Sequence, residues 1–311
     1  MKERKIGDSL LLGLKGMAMG AADIVPGVSG GTIAFITGIY EELITSLNNI
    51  NFRAIMILRK EGLKSFWNHI NGNFFIFLLA GIAISLVSLV RIVTYLLENE
   101  PVLIWSFFFG LIIASIVLIG KQVNYWRLTT IVAILVGTVV ALWISSIQTI
   151  ANVDANWYIF LSGAIAICAM ILPGISGSFI LLLMGSYHMI LNGLKNLDLL
   201  VIGLFGSGCV MGLISFSRLL KYLFNKFHDQ TVALLTGFMI GSLYKVWPWK
   251  IRVGDAPINI HSDGKEDWMT ANVMPGNLDG DPQLGLAIFC AILGLGLIVI
   301  LHRFAPKEVV N

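Results

Sequence analysis

Charge is what this chain lacks most. Asp, Glu, Lys and Arg supply 13% of its 311 residues while hydrophobic types supply 57%, and the mean hydropathy is +0.84. A soluble domain is about 45–50% apolar, so a water-soluble globular protein is excluded. Cysteine is equally sparse. Cys168, Cys209 and Cys290 all sit inside apolar runs, where packing accounts for them better than a disulfide frame or a metal site. The strict polar–apolar alternation of barrel strands is missing, which removes a membrane β-barrel. An unbroken leader is missing too: the apolar stretch after the basic N-terminus is interrupted by Lys15 and runs on into a glycine motif, so it reads as part of the mature fold. No cofactor and no nucleic-acid partner are expected.

What the chain does have is apolar runs of about twenty residues, each long enough to cross a ~30 Å hydrocarbon core as a helix. They predict an all-α polytopic membrane protein with spans at 74–97, 101–119, 128–148, 199–220, 230–247 and 284–302. Two further apolar stretches, 8–47 and 156–194, are each interrupted by Pro-Gly-x-Ser-Gly. Proline removes a helix donor and clashes with the preceding turn, and glycine admits the backbone angles of a sharp break. Broken backbone at membrane depth survives only when protein or a water-filled cavity surrounds it, so both stretches are expected to be re-entrant hairpins.

The loop charges give a second view of this layout. Lys2, Arg4, Lys5, Arg53, Arg59, Lys60, Lys64, Lys121, Arg127, Lys221, Lys226, Arg303 and Lys307 fall on one side, thirteen in all. Lys195, Lys250, Arg252 and Lys265 fall on the other. The excess marks the cytoplasmic face and puts both termini there. The longest external loop, 248–283, is rich in Gly, Pro, Asn and Asp and suits a solvated lid or cap.

An internal repeat organises these pieces. Aligned without gaps, Ile24–Leu47 and Ile171–Leu194 share nine identities in 24 positions, among them Pro26/Pro173, Gly27/Gly174, Ser29/Ser176, Gly30/Gly177, Gly38/Gly185 and Tyr40/Tyr187. Farther on, Arg91, Tyr95, Gly110 and Ser115 fall opposite Arg218, Tyr222, Gly237 and Ser242. The unit is one hairpin plus three spans: residues 1–148, and again 156–304. Three crossings per unit turn the second copy upside down. Inverted repeats with interrupted helices near the midplane are the plan of many secondary transporters.

The candidate site follows from the breaks. Ser29, Gly30, Gly31 and Thr32 open one half-helix, and Ser176, Gly177 and Ser178 open the other. Such starts present unpaired N–H groups and the positive end of the dipole to an anion, with serine hydroxyls beside them. Close helix packing through small residues is the plainer alternative. Arg91 and Arg218, at matched repeat positions, carry a permanent charge that fits phosphate; snorkelling to the headgroups, or pairing with Glu98, are the alternatives. Asp23 and Glu41 stand opposite Met170 and His188, and such asymmetric carboxylates are candidates to bind a driving proton or sodium ion, or to pair with Arg or cap a helix.

These residues carry a resemblance. GAADIVPGVSGGTIAFITGIYEELI and ILPGISGSFILLLMGSYHMIL are similar to the paired motifs of the bacterial and archaeal polyprenyl-phosphate transporters called PopT, and the likeness covers nearly the whole chain. It implies a translocase that returns undecaprenyl phosphate from the outer to the inner leaflet of the cytoplasmic membrane for reuse in cell-wall assembly. Its partners would be that lipid and the surrounding membrane, with a homodimer as one arrangement. Membrane phosphatases acting on undecaprenyl pyrophosphate resemble the same plan, but their motif continues with an arginine where this chain has Gly30 and Gly177. A small-anion transporter or channel is the third reading that the helix ends alone would support.

Overall fold

The structure is a computed structural model that describes residues 6–24, 29–146, 155–254, 259–260, 266–267, 269–278 and 280–304. Each interrupted stretch forms three short helices in place of one long one. The first gives α1 (Ile6–Ile24), α2 (Gly30–Ile36) and α3 (Tyr40–Asn49). Pro26 and Gly27 of the first break lie outside the described residues. Two exposed helices, α4 (Phe52–Glu61) and α5 (Leu63–His69), then lead to α6 (Gly72–Asn99), α7 (Pro101–Gly120) and α8 (Leu128–Ser146). The second stretch repeats the pattern with α9 (Asn156–Ile171), α10 (Gly177–Leu183) and α11 (Tyr187–Lys195), followed by α12 (Leu199–Lys226), α13 (His228–Ser242) and α14 (Leu284–Phe304).

Besides the Pro-Gly break, each stretch bends a second time. Gly38 (φ +71°) and Gly185 (φ +69°) end α2 and α10 in the left-handed region, which side chains with a Cβ rarely enter. These matched glycines give each hairpin its second corner. In the second copy Tyr158 donates to the Met184 carbonyl (2.7 Å) and Ser162 pairs with Ser186 (2.7 Å), tying the corner back to α9.

Among the described residues, four helices are long and apolar enough to cross a membrane: residues 72–89 of α6, α7, residues 128–145 of α8, and α12. The apolar stretches of α9 and α14 are shorter. The span expected at 230–247 is helical only to Ser242; its 15 residues rise about 22 Å, and turns carry the chain on to Val246. Among the described residues, the strands that depart from an all-helical reading lie in the 248–283 loop. There β1 (Lys250–Val253) pairs antiparallel with β4 (Met269–Asn272), and β2 (Asn259–Ile260) with β3 (Glu266–Asp267). The indoles of Trp247 and Trp249 donate to the carbonyls of Val273 (2.8 Å) and Pro282 (2.9 Å), pinning this ribbon to the helix end below it.

Helices pack in four parallel pairs: α1 with α6, α9 with α12, α7 with α14, and α8 with α13. Glycine makes each pairing close. A Cβ on Gly16 would lie 2.3 Å from the Leu78 carbonyl oxygen, one on Gly208 2.0 Å from that of Phe160, one on Gly294 2.0 Å from that of Phe107, and one on Gly237 2.3 Å from that of Ile134. Apolar helices gain nothing from leaving lipid for one another, so backbone approach through small residues is what holds such pairs. Buried hydroxyls follow the same economy: Ser106 and Thr236 donate to carbonyls four residues back in their own helices, both at 2.7 Å.

Replacing Gly237 by Ala puts a methyl group into backbone and forces α8 from α13, at a cost of about 1–3 kcal/mol. Its thermal midpoint in detergent should fall below that of Gly203→Ala, where no atom lies within 4 Å of the added Cβ and helix propensity favours alanine.

Candidate functional site

The two breaks meet. The Ser29 hydroxyl donates to the Met170 carbonyl (3.0 Å) at the end of α9, and the Gly174 N–H in the second break donates to the Thr32 hydroxyl (2.9 Å) on α2. Gly31 lies so close to α9 that a Cβ there would be 2.4 Å from the Ile171 carbonyl oxygen. All seven residues of α2 are buried. Each bond answers a need set by depth, because a backbone group freed by a helix break finds no water in hydrocarbon.

The copies then diverge. In the first, the Gly30 N–H donates to Asp23 Oδ1 at 2.6 Å and the Gly31 N–H to the Ser29 hydroxyl at 3.0 Å. Asp23 therefore supplies an anion from within the chain, on donors the sequence offered to a ligand. Gly30 is needed beside it, since a Cβ would lie 2.5 Å from Asp23 Oδ2. In the second copy Met170 stands where Asp23 does, and Ser176 makes no capping bond. Its hydroxyl pairs with that of Ser178 (2.9 Å), and Gly177 packs towards Ala166. A narrow cleft opens here, lined by Gly174, Ser176, Phe179, Ser145 of α8 and Lys245.

Arg91 and Arg218 are exposed on α6 and α12 and make no hydrogen bond or ion pair with described residues. Neither hydrogen-bonds to Ser29 or Ser176. Glu41 reaches His228 Nε2 at 3.2 Å, with both side chains about half exposed. Asp229, next to His228, accepts the N–H groups of Asn124 (3.2 Å) and Tyr125 (3.0 Å). This cluster joins the first hairpin to the α7–α8 turn and the foot of α13. His228 precedes the apolar stretch of α13, and the Glu41 hydrogen bond, ahead of an opposing burial effect, lifts its pKa above the ordinary 6.5.

Sequence reasoning missed Lys245 and Lys250. Lys245 was absorbed into an expected span and Lys250 into a loop, and two lysines five positions apart at the charge-poor end of an apolar run were the available signal.

A family model described as undecaprenyl phosphate translocase-like matches residues 19–262. The chain is 42% identical over 299 residues to a polyprenyl-phosphate transporter of Vibrio cholerae serotype O1, covering 94% of this chain and 96% of that one. It is 32% identical over 254 residues to a polyprenyl-phosphate transporter of Staphylococcus aureus, covering 76% and 85%. No solved structure matches.

Thr32→Val keeps the shape but strands the Gly174 N–H, so stability should drop by about 1–3 kcal/mol, read by chemical unfolding in detergent; Thr32→Ser should restore it. The contact of Glu41 with His228 is complete below the ordinary histidine pKa and is lost as pH rises through the raised one. In NMR titrations Glu41→Gln should therefore move the His228 midpoint down.

Proposed function

The chain belongs to the undecaprenyl phosphate translocase-like family, and from that premise we propose that it carries undecaprenyl phosphate from the outer to the inner leaflet of the cytoplasmic membrane by alternating access. It is a multi-pass membrane protein and a transporter, and polyprenyl phosphate transport is what its named relatives support. The observation that carries the finer reading is the direct bonding of the two broken segments through Ser29, Met170, Thr32 and Gly174. A polar seam between two halves is where a headgroup can pass while its isoprenoid tail stays in lipid.

Several features support an inverted duplication. Exchanging the halves sends the pair α1–α6 onto α9–α12 and the pair α7–α14 onto α13–α8, so the four close pairings are preserved under the swap. With three crossings in each half and both termini on the basic, cytoplasmic side, the 248–283 loop is external. Each hairpin then enters and leaves by one face. Arg91 and Arg218, exposed at matched positions on the flanks, meet a headgroup arriving in the membrane plane and exchange it between outward and inward states. Asp23, lodged in the first break, and Glu41, paired with His228, are the carboxylates available to a driving proton or sodium ion.

Purified protein in liposomes should speed the movement of undecaprenyl phosphate between leaflets. It should release no phosphate from undecaprenyl pyrophosphate, and Arg91→Ala and Arg218→Ala should slow transfer while still folding. Absence of acceleration under every imposed ion gradient, or hydrolysis of the pyrophosphate, would overturn the reading.

A further inference from the structure

Lys245 and Lys250 lie at the end of the bundle that bears the 248–283 ribbon. The Lys245 ammonium sits 4.3 Å from the centre of the Phe179 ring and lines the cleft that holds Ser176. The Lys250 ammonium sits 4.0 Å from the centre of the Trp105 ring on α7 and donates to the Lys245 carbonyl at 2.7 Å. Both side chains are half-buried, and neither makes an ion pair with a described carboxylate. Two described carboxylates at this end are engaged elsewhere: Glu100 accepts from the Gln283 side chain (3.3 Å) and Asp281 from the Gln283 N–H (2.9 Å).

Two neighbouring cations held part-way out of water, facing aromatic rings and paired with no described carboxylate, are costly. Cation–π contacts offset only part of that cost. Burial first, and then the charge of Lys245, push the Lys250 ammonium down to about 7. An anion seated between the two lysines would relieve both effects.

Depth and polarity select the kind of anion. Trp105, Trp247 and Trp249 cluster here, the last two with ring centres 5.5 Å apart and their N–H groups turned to loop carbonyls. Indoles so arranged mark the interface level, where lipid phosphates lie. The Ser176 hydroxyl lines the cleft, and that of the exposed Ser178 pairs with it, so both offer donors beside the lysines. The first copy has no equivalent: at the offset that matches Arg91 with Arg218, Lys245 and Lys250 fall opposite Leu118 and Val123, and Asp23 fills its break with negative charge.

We propose that Lys245 and Lys250, with Ser176 and Ser178 behind them, form a binding site for a phosphate monoester that belongs to the ribbon-bearing face alone. The proposal deepens the transport reading and rests on it for the source of the phosphate, a lipid headgroup in place of the free ion. The cleft is narrow in this conformation, so the headgroup meets the lysine pair at the rim first.

Purified protein in detergent, titrated with undecaprenyl phosphate and in parallel with inorganic phosphate, tests this by thermal shift. Lys245→Gln with Lys250→Gln should weaken undecaprenyl phosphate binding roughly 10- to 100-fold, while Lys245→Arg retains it. The ligand-free double variant should melt at or above the wild-type temperature, because uncompensated charge has been removed; lysines with only a structural role would lower it. Should the double variant not fold, Lys250→Gln alone supplies the comparison. Unchanged binding in the variants, with wild-type transport intact, overturns the site and leaves the transport reading standing. Lysine-dependent protection by inorganic phosphate, with no binding or transport of the lipid by wild type, keeps the anion site and overturns the lipid as its source.

Discussion

A helix broken inside a membrane leaves backbone donors and acceptors that water cannot reach, and the fold depends on how those groups are answered. Here the two breaks answer one another. Ser29 gives its hydroxyl proton to the last turn of α9, and Thr32 takes the Gly174 N–H from the opposite break. Neither break could be closed this way alone, because the partner atoms come from the other half of the chain. Each break is therefore closed in part by groups that the other supplies.

Everything outside that seam serves to hold the two hairpins face to face. Parallel partners run beside them, α6 beside α1 and α12 beside α9, drawn in by glycines that let one backbone rest on another. The remaining four helices cross between halves, so α7 leans on α14 and α8 on α13. The attraction comes from close van der Waals contact, so the pairings are specific in their geometry.

On this nearly symmetric frame the chemistry is one-sided. Asp23 turns the first break into a self-satisfied carboxylate–amide contact, and Met170 leaves the second without one. Lysines then gather beside the second break and a His–Glu contact beside the first. The asymmetry between the two breaks thus lies in their charged side chains and not in the backbone.

Much of this was legible in the residues. Apolar runs of crossing length, with proline beside glycine within two of them, determined by themselves that the chain is mostly helical, membrane-bound and interrupted, because those properties follow from local backbone chemistry and hydropathy; the nine matched positions between two stretches are a property of the sequence alone. The second bends at Gly38 and Gly185 were present in the alignment but carried no local sign of positive φ. Which side chains serve the site was another matter. Arg91 and Arg218 stand out by charge and spacing, and the structure shows both exposed on their helices; Lys245 falls inside an expected span and Lys250 counts only as a loop charge, and a turn after Ser242 and a short ribbon bring them beside Phe179 and Trp105. Likewise Asp23 was visible as an acid near a break, while its use as an internal anion depended on a 2.6 Å approach to Gly30. Hydropathy and backbone preference are read over a few neighbouring residues, so sequence determined them. The facing of a side chain and the pairing of a charge are settled by residues far along the chain, so only the tertiary structure could decide them.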